Sequence, residues 1–121
     1  MATIELTAGN FEQTVTDHDI VLVDFWASWC GPCRMFGPVF ERVSERHPDL
    51  AFAKVDTEAQ QELSAVFGIT SIPTLMVVRD KVVVFSQAGA LPEKALEQVV
   101  EQTRALDMDE VHRRLAAATA S

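Results

Sequence analysis

Short runs of apolar residues alternate along the chain with stretches in which apolar positions recur every three or four residues. Runs of the first kind predict strands, and stretches of the second kind predict helices. The predicted strands are 3–6, 20–26, 50–55, 74–78 and 82–86. The predicted helices are 10–16, 32–47 and 59–67, followed by a long helix that starts at 91–92. This order predicts an α/β fold in which helices cover both faces of a mixed sheet.

Several positions refine this outline. The run 20–26 consists of branched and aromatic residues apart from Asp24, so it predicts a central strand that is covered on both faces. Pro38 lies inside a predicted helix, where a proline costs about 3 kcal/mol unless the helix bends, and we expect a bend there. The segments 74–78 and 82–86 predict a hairpin around 79–81.

Residues 107–118 predict one more helix at the end of the chain. Its apolar positions Met108, Val111 and Leu115 are rotated by roughly a quarter turn from the predicted buried face of the preceding helix. We therefore expect a kink or a separate helix near Asp107. The chain is predicted to consist of a domain at 1–106 and a helical extension at 107–121. The extension either packs on its own domain or contacts a partner or a second copy.

Composition and charge narrow the classes of function. A chain of 121 residues, of which 48% are hydrophobic, predicts a single domain that buries its own core. The formal charge of −8 argues against nucleic acid and anionic membranes as partners. No apolar run is long enough to span a bilayer, and no basic segment followed by an apolar one stands at the N-terminus. We therefore expect a cytoplasmic chain.

The two cysteines of the chain, Cys30 and Cys33, start a predicted helix directly after the predicted central strand. The positive end of a helix stabilises an anion, so Cys30 should ionise more readily than a free thiol. The spacing places Cys33 one turn further along, where it can close a disulfide with Cys30 and be less exposed to solvent. Attack and resolution then fall to different sulfurs, and the pattern favours dithiol–disulfide redox chemistry.

Two other uses of such a pair are less favoured. A structural zinc site needs four ligands, whereas the sequence has no second cysteine pair and only three dispersed histidines, so we expect no metal. A permanent structural disulfide would close a very short loop in a reducing compartment.

The sequence VDFWASWCGPC at 23–33 resembles the active-site signature of the thioredoxin family. Three more segments resemble other parts of that family: AKVD at 53–56 its third strand, SIPT at 71–74 its cis-proline loop, and GAL at 89–91 the turn before its last helix. Pro38 matches its helix-kinking proline. The resemblance covers about residues 2–106 and implies a thioredoxin fold and protein-disulfide reductase activity.

The resemblance also implies roles for individual residues. Cys30 would attack a substrate disulfide, and Cys33 would resolve the mixed disulfide. Asp24, whose pKa burial should raise, would exchange a proton with Cys33 through water, and Lys54 would modulate its ionisation. Taken alone, Asp24 could instead be a strand-end carboxylate bonded to backbone, and Lys54 a surface lysine. Pro73 is implied to follow a cis peptide bond and to face the cysteines.

An exposed and mostly uncharged docking patch is expected beside the cysteines. It comprises Trp29, Gly31, Pro32, Ile72, Pro73, Ala88 and Gly89. The backbone of Ile72 would pair with an extended substrate segment by strand addition. The resemblance implies transient complexes with disulfide-containing proteins and no bound cofactor. Electrons would come from NADPH through a separate thioredoxin reductase, and we expect a monomer unless the extension associates.

Two positions depart from the family pattern. Lys81 stands where the hairpin usually has glycine, and Ser71 stands where glycine is common beside the cis-proline. The first can alter the turn and the second the substrate groove. Three other functions stay open: an oxidant or isomerase of the same fold, a binding module that needs no redox cycle, and a redox sensor. The Gly-Pro dipeptide between the cysteines and the missing signal segment disfavour the first.

Overall fold

In a computed structural model, which describes residues 2–120, five strands form one mixed sheet in the order β1-β3-β2-β4-β5. The strands are β1 (Thr3–Glu5), β2 (Ile20–Trp26), β3 (Ala51–Asp56), β4 (Thr74–Arg79) and β5 (Val82–Ala88). β3 runs parallel to both β1 and β2, whereas β4 runs antiparallel to both β2 and β5. β2 is the central strand of the sheet, as predicted.

Five helices accompany the sheet within this described part of the chain. They are α1 (Phe11–Asp17), α2 (Gly31–Arg46), α3 (Gln61–Val66), α4 (Glu93–Ala105) and α5 (Met108–Ala120). All predicted elements are present, and their boundaries differ from the predicted ones by at most two residues. The predicted fold class, a mixed sheet with helices on both faces and an additional C-terminal helix, is confirmed. No helix in residues 2–120 has both the length and the apolar character that crossing a membrane requires.

The central strand contributes to two cores because successive side chains of a strand point to opposite faces. Val21, Val23 and Phe25 pack in the cluster that includes residues of α1 and α3. Ile20 and Leu22 pack in the cluster formed with α2 and α4. By this alternation, Asp24 lies on the α2 side of the sheet and interrupts an otherwise apolar row.

Helix α2 packs through one side and begins at the cysteine pair. Its buried residues include Phe36, Phe40 and Val43, whose spacing of three and four residues places them on one side of the helix. The helix ends at Arg46, one residue before the expected position. Pro38 lies inside the helix, and the bend expected there stays a prediction.

The β4–β5 hairpin turns through two residues without glycine. Asp80 and Lys81 have φ angles of 52° and 64°, the left-handed conformation that a type I′ turn requires at both positions. Arg79 pairs with Val82, so the turn is one residue shorter than the predicted 79–81. The hairpin is therefore tight even though Lys81 replaces the glycine that is usual in the family. The lysine adopts a conformation that favours glycine.

The extension forms a separate helix, in agreement with the break expected near Asp107. α4 ends at Ala105 and α5 begins at Met108. The carboxylate of Asp107 accepts a hydrogen bond from the backbone N–H of Glu110 over 3.3 Å, as an N-terminal cap does. Met108 is buried, whereas Leu115 is 45% exposed. The first turn of α5 is thus packed against the domain, and the following turns are largely open to solvent.

Candidate active site

Cys30 and Cys33 lie at the N-terminus of α2 and form a disulfide, with their Cα atoms 5.2 Å apart. Cys30 is the N-cap residue, and the backbone N–H of Cys33 donates a hydrogen bond to the Cys30 Sγ over 3.2 Å. The first N–H groups of a helix have no acceptors within the helix and stabilise negative charge. A thiolate formed at Cys30 on reduction would therefore meet a donor that is already in place.

The exposure of the two cysteines does not differ as expected. Cys30 is 4% and Cys33 is 5% exposed, so the prediction that Cys33 is the less exposed residue is wrong for this disulfide-bonded form. The reason is that both pack under the same cover, with Ala27 and the partly buried side chains of Trp26 and Ile72.

The surroundings of the two sulfur-bearing residues do differ. The Cys30 Sγ lies 3.7 Å from the carbonyl oxygen of Ile72, on the loop before β4. Cys33 instead lines a pocket of about 510 Å³ that also reaches Trp26, Glu41 and Lys54. Cys30 thus lies beside a loop that a substrate can contact, and Cys33 lies beside a space that water can enter.

Asp24 is buried in the middle of β2, and no hydrogen bond compensates for the burial of its carboxyl group. Its exposed fraction is 0%, and neither carboxylate oxygen has a hydrogen-bond partner within residues 2–120. Burial raises the pKa of Asp24 to about 7, and the positive charge of Lys54 partly opposes this rise. The alternative in which Asp24 is bonded to backbone at a strand end is therefore wrong.

Lys54 is held near Asp24 by the register of the sheet. It is the β3 partner of Asp24 on β2, so both side chains lie on the α2 side. The Lys54 Nζ lies 5.2 Å from the centre of the Trp26 ring, a distance at which a cation is attracted to the aromatic face. Its side chain also lines the pocket that reaches Cys33. Lys54 is therefore more than the surface lysine that its sequence position alone suggests.

The loop before β4 has the cis peptide bond that the resemblance implied, between Ile72 and Pro73. The carbonyl oxygen of Pro73 accepts a hydrogen bond from the N–H of Gly89 over 2.8 Å. Pro73 is buried, so the expectation that it belongs to an exposed patch is wrong. It directly precedes the buried strand β4, and its backbone is tied to the end of β5. Ile72 beside it is half-buried.

The other members of the expected docking patch are exposed. These are Trp29, Gly31, Pro32, Ala88 and Gly89. Trp29 is 64% exposed, and its indole Nε1 donates a hydrogen bond to Glu58 Oε1 over 2.9 Å. Glu58 follows β3 and belongs to no motif, so the sequence pattern offers no sign that it orients Trp29. The same holds for Glu41, which lines the pocket beside Cys33.

Metal ligation has no evident location in the described residues. No group of three or more His, Cys, Asp or Glu side chains within residues 2–120 is arranged to hold an ion. The histidines lie apart from the cysteine pair, and two of them contact carboxylates: His47 contacts Glu97 and His112 contacts Asp80.

Comparison with known proteins gives matches over most of the chain. The family model named Thioredoxin matches residues 2–102. Putative thioredoxin 2 of Streptomyces coelicolor is 64% identical over 115 residues, which cover 95% of this chain and 86% of that protein. Thioredoxin of Bacillus subtilis is 40% identical over 103 residues, covering 84% of this chain and 98% of that protein.

A solved structure agrees with these matches. A mutant thioredoxin from Halobacterium salinarum NRC-1 has a TM-score of 0.81 and 34% identity, covering 86% of this chain and 92% of that one. The family model ends before α5, whereas the match to the Streptomyces protein reaches at least residue 115. Since these matches cover most of the chain and contain its cysteine pair, the chain belongs to the thioredoxin family and is a thiol–disulfide oxidoreductase.

Proposed function

We propose that the chain reduces protein disulfides, with Cys30 as the attacking thiol and Cys33 as the resolving thiol. The observation that carries this assignment is the N–H of Cys33 directed at the Cys30 Sγ at the start of α2. This donor and the helix terminus favour a thiolate at Cys30 over one at Cys33. The thiolate is the species that attacks a disulfide, so the first step falls to Cys30.

The reaction proceeds through a mixed disulfide. The Cys30 thiolate bonds to one substrate sulfur, the substrate S–S bond breaks, and the other substrate sulfur leaves as a thiolate that takes up a proton from water. Cys33 then loses its proton and attacks the Cys30 sulfur. The bond between Cys30 and the substrate breaks, and the second substrate sulfur leaves and is protonated. Two electrons pass from the dithiol to the substrate, and the Cys30–Cys33 disulfide closes.

Asp24 is proposed to accept the proton that Cys33 loses. A general base works best when its pKa lies near the working pH, and the pKa of Asp24 is raised to about 7. The pocket beside Cys33 is large enough to admit water, which would carry the proton between the two groups. Lys54 would favour the ionised form of Asp24 at neutral pH, because its positive charge lowers the pKa of Asp24.

Substrate proteins are proposed to dock on the patch of Trp29, Gly31, Pro32, Ile72, Ala88 and Gly89, with Pro73 shaping the loop from beneath. The backbone of Ile72 is suited to pair with an extended substrate segment, since its carbonyl oxygen lies 3.7 Å from the Cys30 Sγ. Such pairing depends little on the substrate's side chains. It therefore suits transient complexes with many disulfide-containing proteins.

Recycling is proposed to use NADPH through a separate thioredoxin reductase, in the cytoplasm, where thiols are kept reduced. Disulfide exchange at Cys30 and Cys33 itself needs no cofactor bound to this chain. We assign the chemistry to the domain at 1–106 and none of its steps to the extension at 107–121.

A coupled assay tests this function. With a bacterial thioredoxin reductase, NADPH and insulin, the chain should sustain NADPH oxidation that saturates with insulin and leaves insulin reduced. Cys30→Ser should lower the rate to that of reductase and insulin alone, whereas Glu101→Gln, an exposed change on α4, should not. Full function in cells of the double variant Cys30→Ser with Cys33→Ser would contradict the proposal and favour a binding module.

A further inference from the structure

An apolar groove lies between α5 and the edge strand β5, away from the cysteine pair. Its volume is about 300 Å³. Its walls are formed mainly by aliphatic side chains: Val82, Val83, Val84, Leu106, Val111 and Leu115. Val83 and Leu115 are each 45% exposed, so two large apolar side chains of this groove face solvent. A second chain can remove apolar side chains exposed in this way from water.

The groove lies at the opposite end of the sheet from the active site. In the β4–β5 pair, Ala88 lies beside Thr74, next to the cis-proline loop, whereas Val82 lies beside Arg79. Strands rise by about 3.4 Å per residue, so the two ends of this pair are separated by roughly 17–20 Å. A molecule bound in the groove would therefore leave Cys30 accessible to substrates.

Specific contacts hold α5 in its position as one wall of the groove. The Arg79 Nη1 donates hydrogen bonds to the carbonyl oxygens of Thr103, over 2.7 Å, and Leu106, over 3.1 Å. These bonds fix the link between α4 and α5 to the end of β4. His112 Nε2 lies 3.4 Å from Asp80 Oδ2 in the hairpin turn. The groove is thus a built feature of the fold.

The shape of β5 favours a helix as the occupant over an added strand. The register with β4 shifts between Val77 and Val78, which pair with Phe85 and Val83, so Val84 is an extra residue. Such a bulge in an edge strand interrupts the row of backbone groups with which another strand would pair. A helix that approaches the aliphatic walls needs no such row.

The charges of α5 are complementary to a second copy of the same helix. Glu110 and Arg114 are one turn apart and form an ion pair over 3.0 Å, and Arg113 also pairs with Glu110. Two copies of α5 can pack antiparallel with the two-fold axis beside residue 112. Glu110 of each copy then lies beside Arg114 of the other. A two-fold symmetric contact requires this kind of self-complementarity.

We propose that the α5–β5 face is a homodimer interface in which α5 of a second copy lies antiparallel along the groove. Ala116 of each helix then lies opposite Met108, the first residue of the other, and the small alanine side chains at 116–118 allow close approach. The formal charge of the chain is −8, so two copies repel each other over most surfaces. This face combines aliphatic side chains with charges of both signs. Because the groove and the cysteine pair lie at opposite ends of the β4–β5 pair, this contact leaves both cysteine pairs accessible.

Paired charge reversals test the interface by sedimentation equilibrium of the reduced and the oxidised full chain. The unchanged chain should form dimers at micromolar concentration in both states. Glu110→Arg and Arg114→Glu should each weaken dimerisation at least about tenfold, because like charges then meet across the two-fold axis. An equimolar mixture of the two variants should recover dimers, because the basic face of one meets the acidic face of the other.

A matched control and a second variant complete the test. Glu101→Arg makes the same change of charge at an exposed site on α4 and should leave the dimer intact. Leu115→Asp should also dissociate it, without altering either ion pair. A chain that stays monomeric at all concentrations would overturn the proposal, as would a dimer that survives the single reversals or a mixture that stays monomeric. Disulfide reduction by the monomeric variants should be unchanged, so the two proposals can fail separately.

Discussion

Replacement of Cys33 by serine is expected to leave a stable covalent complex between Cys30 and a substrate protein. The serine oxygen cannot attack the mixed disulfide as a thiolate does, so the second step stops while the first continues. Cys30 keeps its position at the start of α2, beside the Ile72 carbonyl and the exposed Trp29. Turnover should fall to the background rate, and one substrate should be held per chain.

Non-reducing electrophoresis and peptide mass spectrometry of the complex identify the sulfur that holds the substrate. Cys30→Ser is the matched control: it leaves one thiol per chain, but the remaining Cys33 lies beside the inner pocket and should trap little substrate. Equal trapping by both variants would contradict separate roles for the two cysteines. Preferential trapping by Cys33 would reverse their order.

Asp24→Asn is expected to stabilise the fold at neutral and alkaline pH. The carboxyl group has its ordinary pKa of 3.8 when the chain is unfolded and a pKa of about 7 in the folded protein. Between these values the folded chain holds a proton that the unfolded chain has lost, so the stability falls as the pH rises. A difference of about 3 pKa units corresponds to about 4 kcal/mol.

Urea unfolding between pH 4 and pH 8 measures this effect. The stabilising effect of the proton on Asp24 is fully present below pH 3.8 and is lost as the pH rises through about 7. The Asn variant should therefore match the unchanged chain near pH 4 and exceed it by up to about 4 kcal/mol at pH 8. Parallel pH curves for the two proteins would show that Asp24 does not titrate as a buried group.

The same variant should slow resolution of the mixed disulfide. In the unchanged chain, the rate should rise as Asp24 ionises near pH 7, and loss of a general base costs about a hundredfold or more. Rapid quenching of a preformed mixed disulfide measures this rate directly. If Asp24→Asn resolves the mixed disulfide as fast as the unchanged chain from pH 6 to pH 8, Asp24 takes no part in the mechanism. Lys54→Met should shift the midpoint of the rise in resolution rate to higher pH, because it removes the charge that lowers the pKa of Asp24.

Much of the site could be predicted because it depends on local sequence. The run that ends at Trp26 forms the central strand, the next helix begins directly after Cys30, and strand alternation places Asp24 on the same face as Ile20 and Leu22. The full order of the strands was not predicted and comes from the structure. The pairing of Asp24 with Lys54 followed from the resemblance, and the register of β2 and β3 supplies its physical basis.

Contacts between distant segments could not be predicted in this way. The hydrogen bond from Trp29 to Glu58 and the burial of Pro73 depend on how loops pack, for which no periodicity exists. The similar burial of both cysteines depends on the side chains that cover them. The left-handed conformation of Lys81 is imposed by the hairpin, against the preference of the residue itself.

The reduction potential of the Cys30–Cys33 couple is the decisive measurement for the reductase function. It distinguishes a reductase from an oxidant of the same fold, since both use the same bond changes in opposite directions. Equilibration of the full chain with glutathione or dithiothreitol redox buffers, followed by alkylation and mass spectrometry, gives the value. We expect a potential near that of thioredoxin, about −270 mV. A potential near that of the periplasmic oxidant DsbA, about −120 mV, would contradict the reductase function.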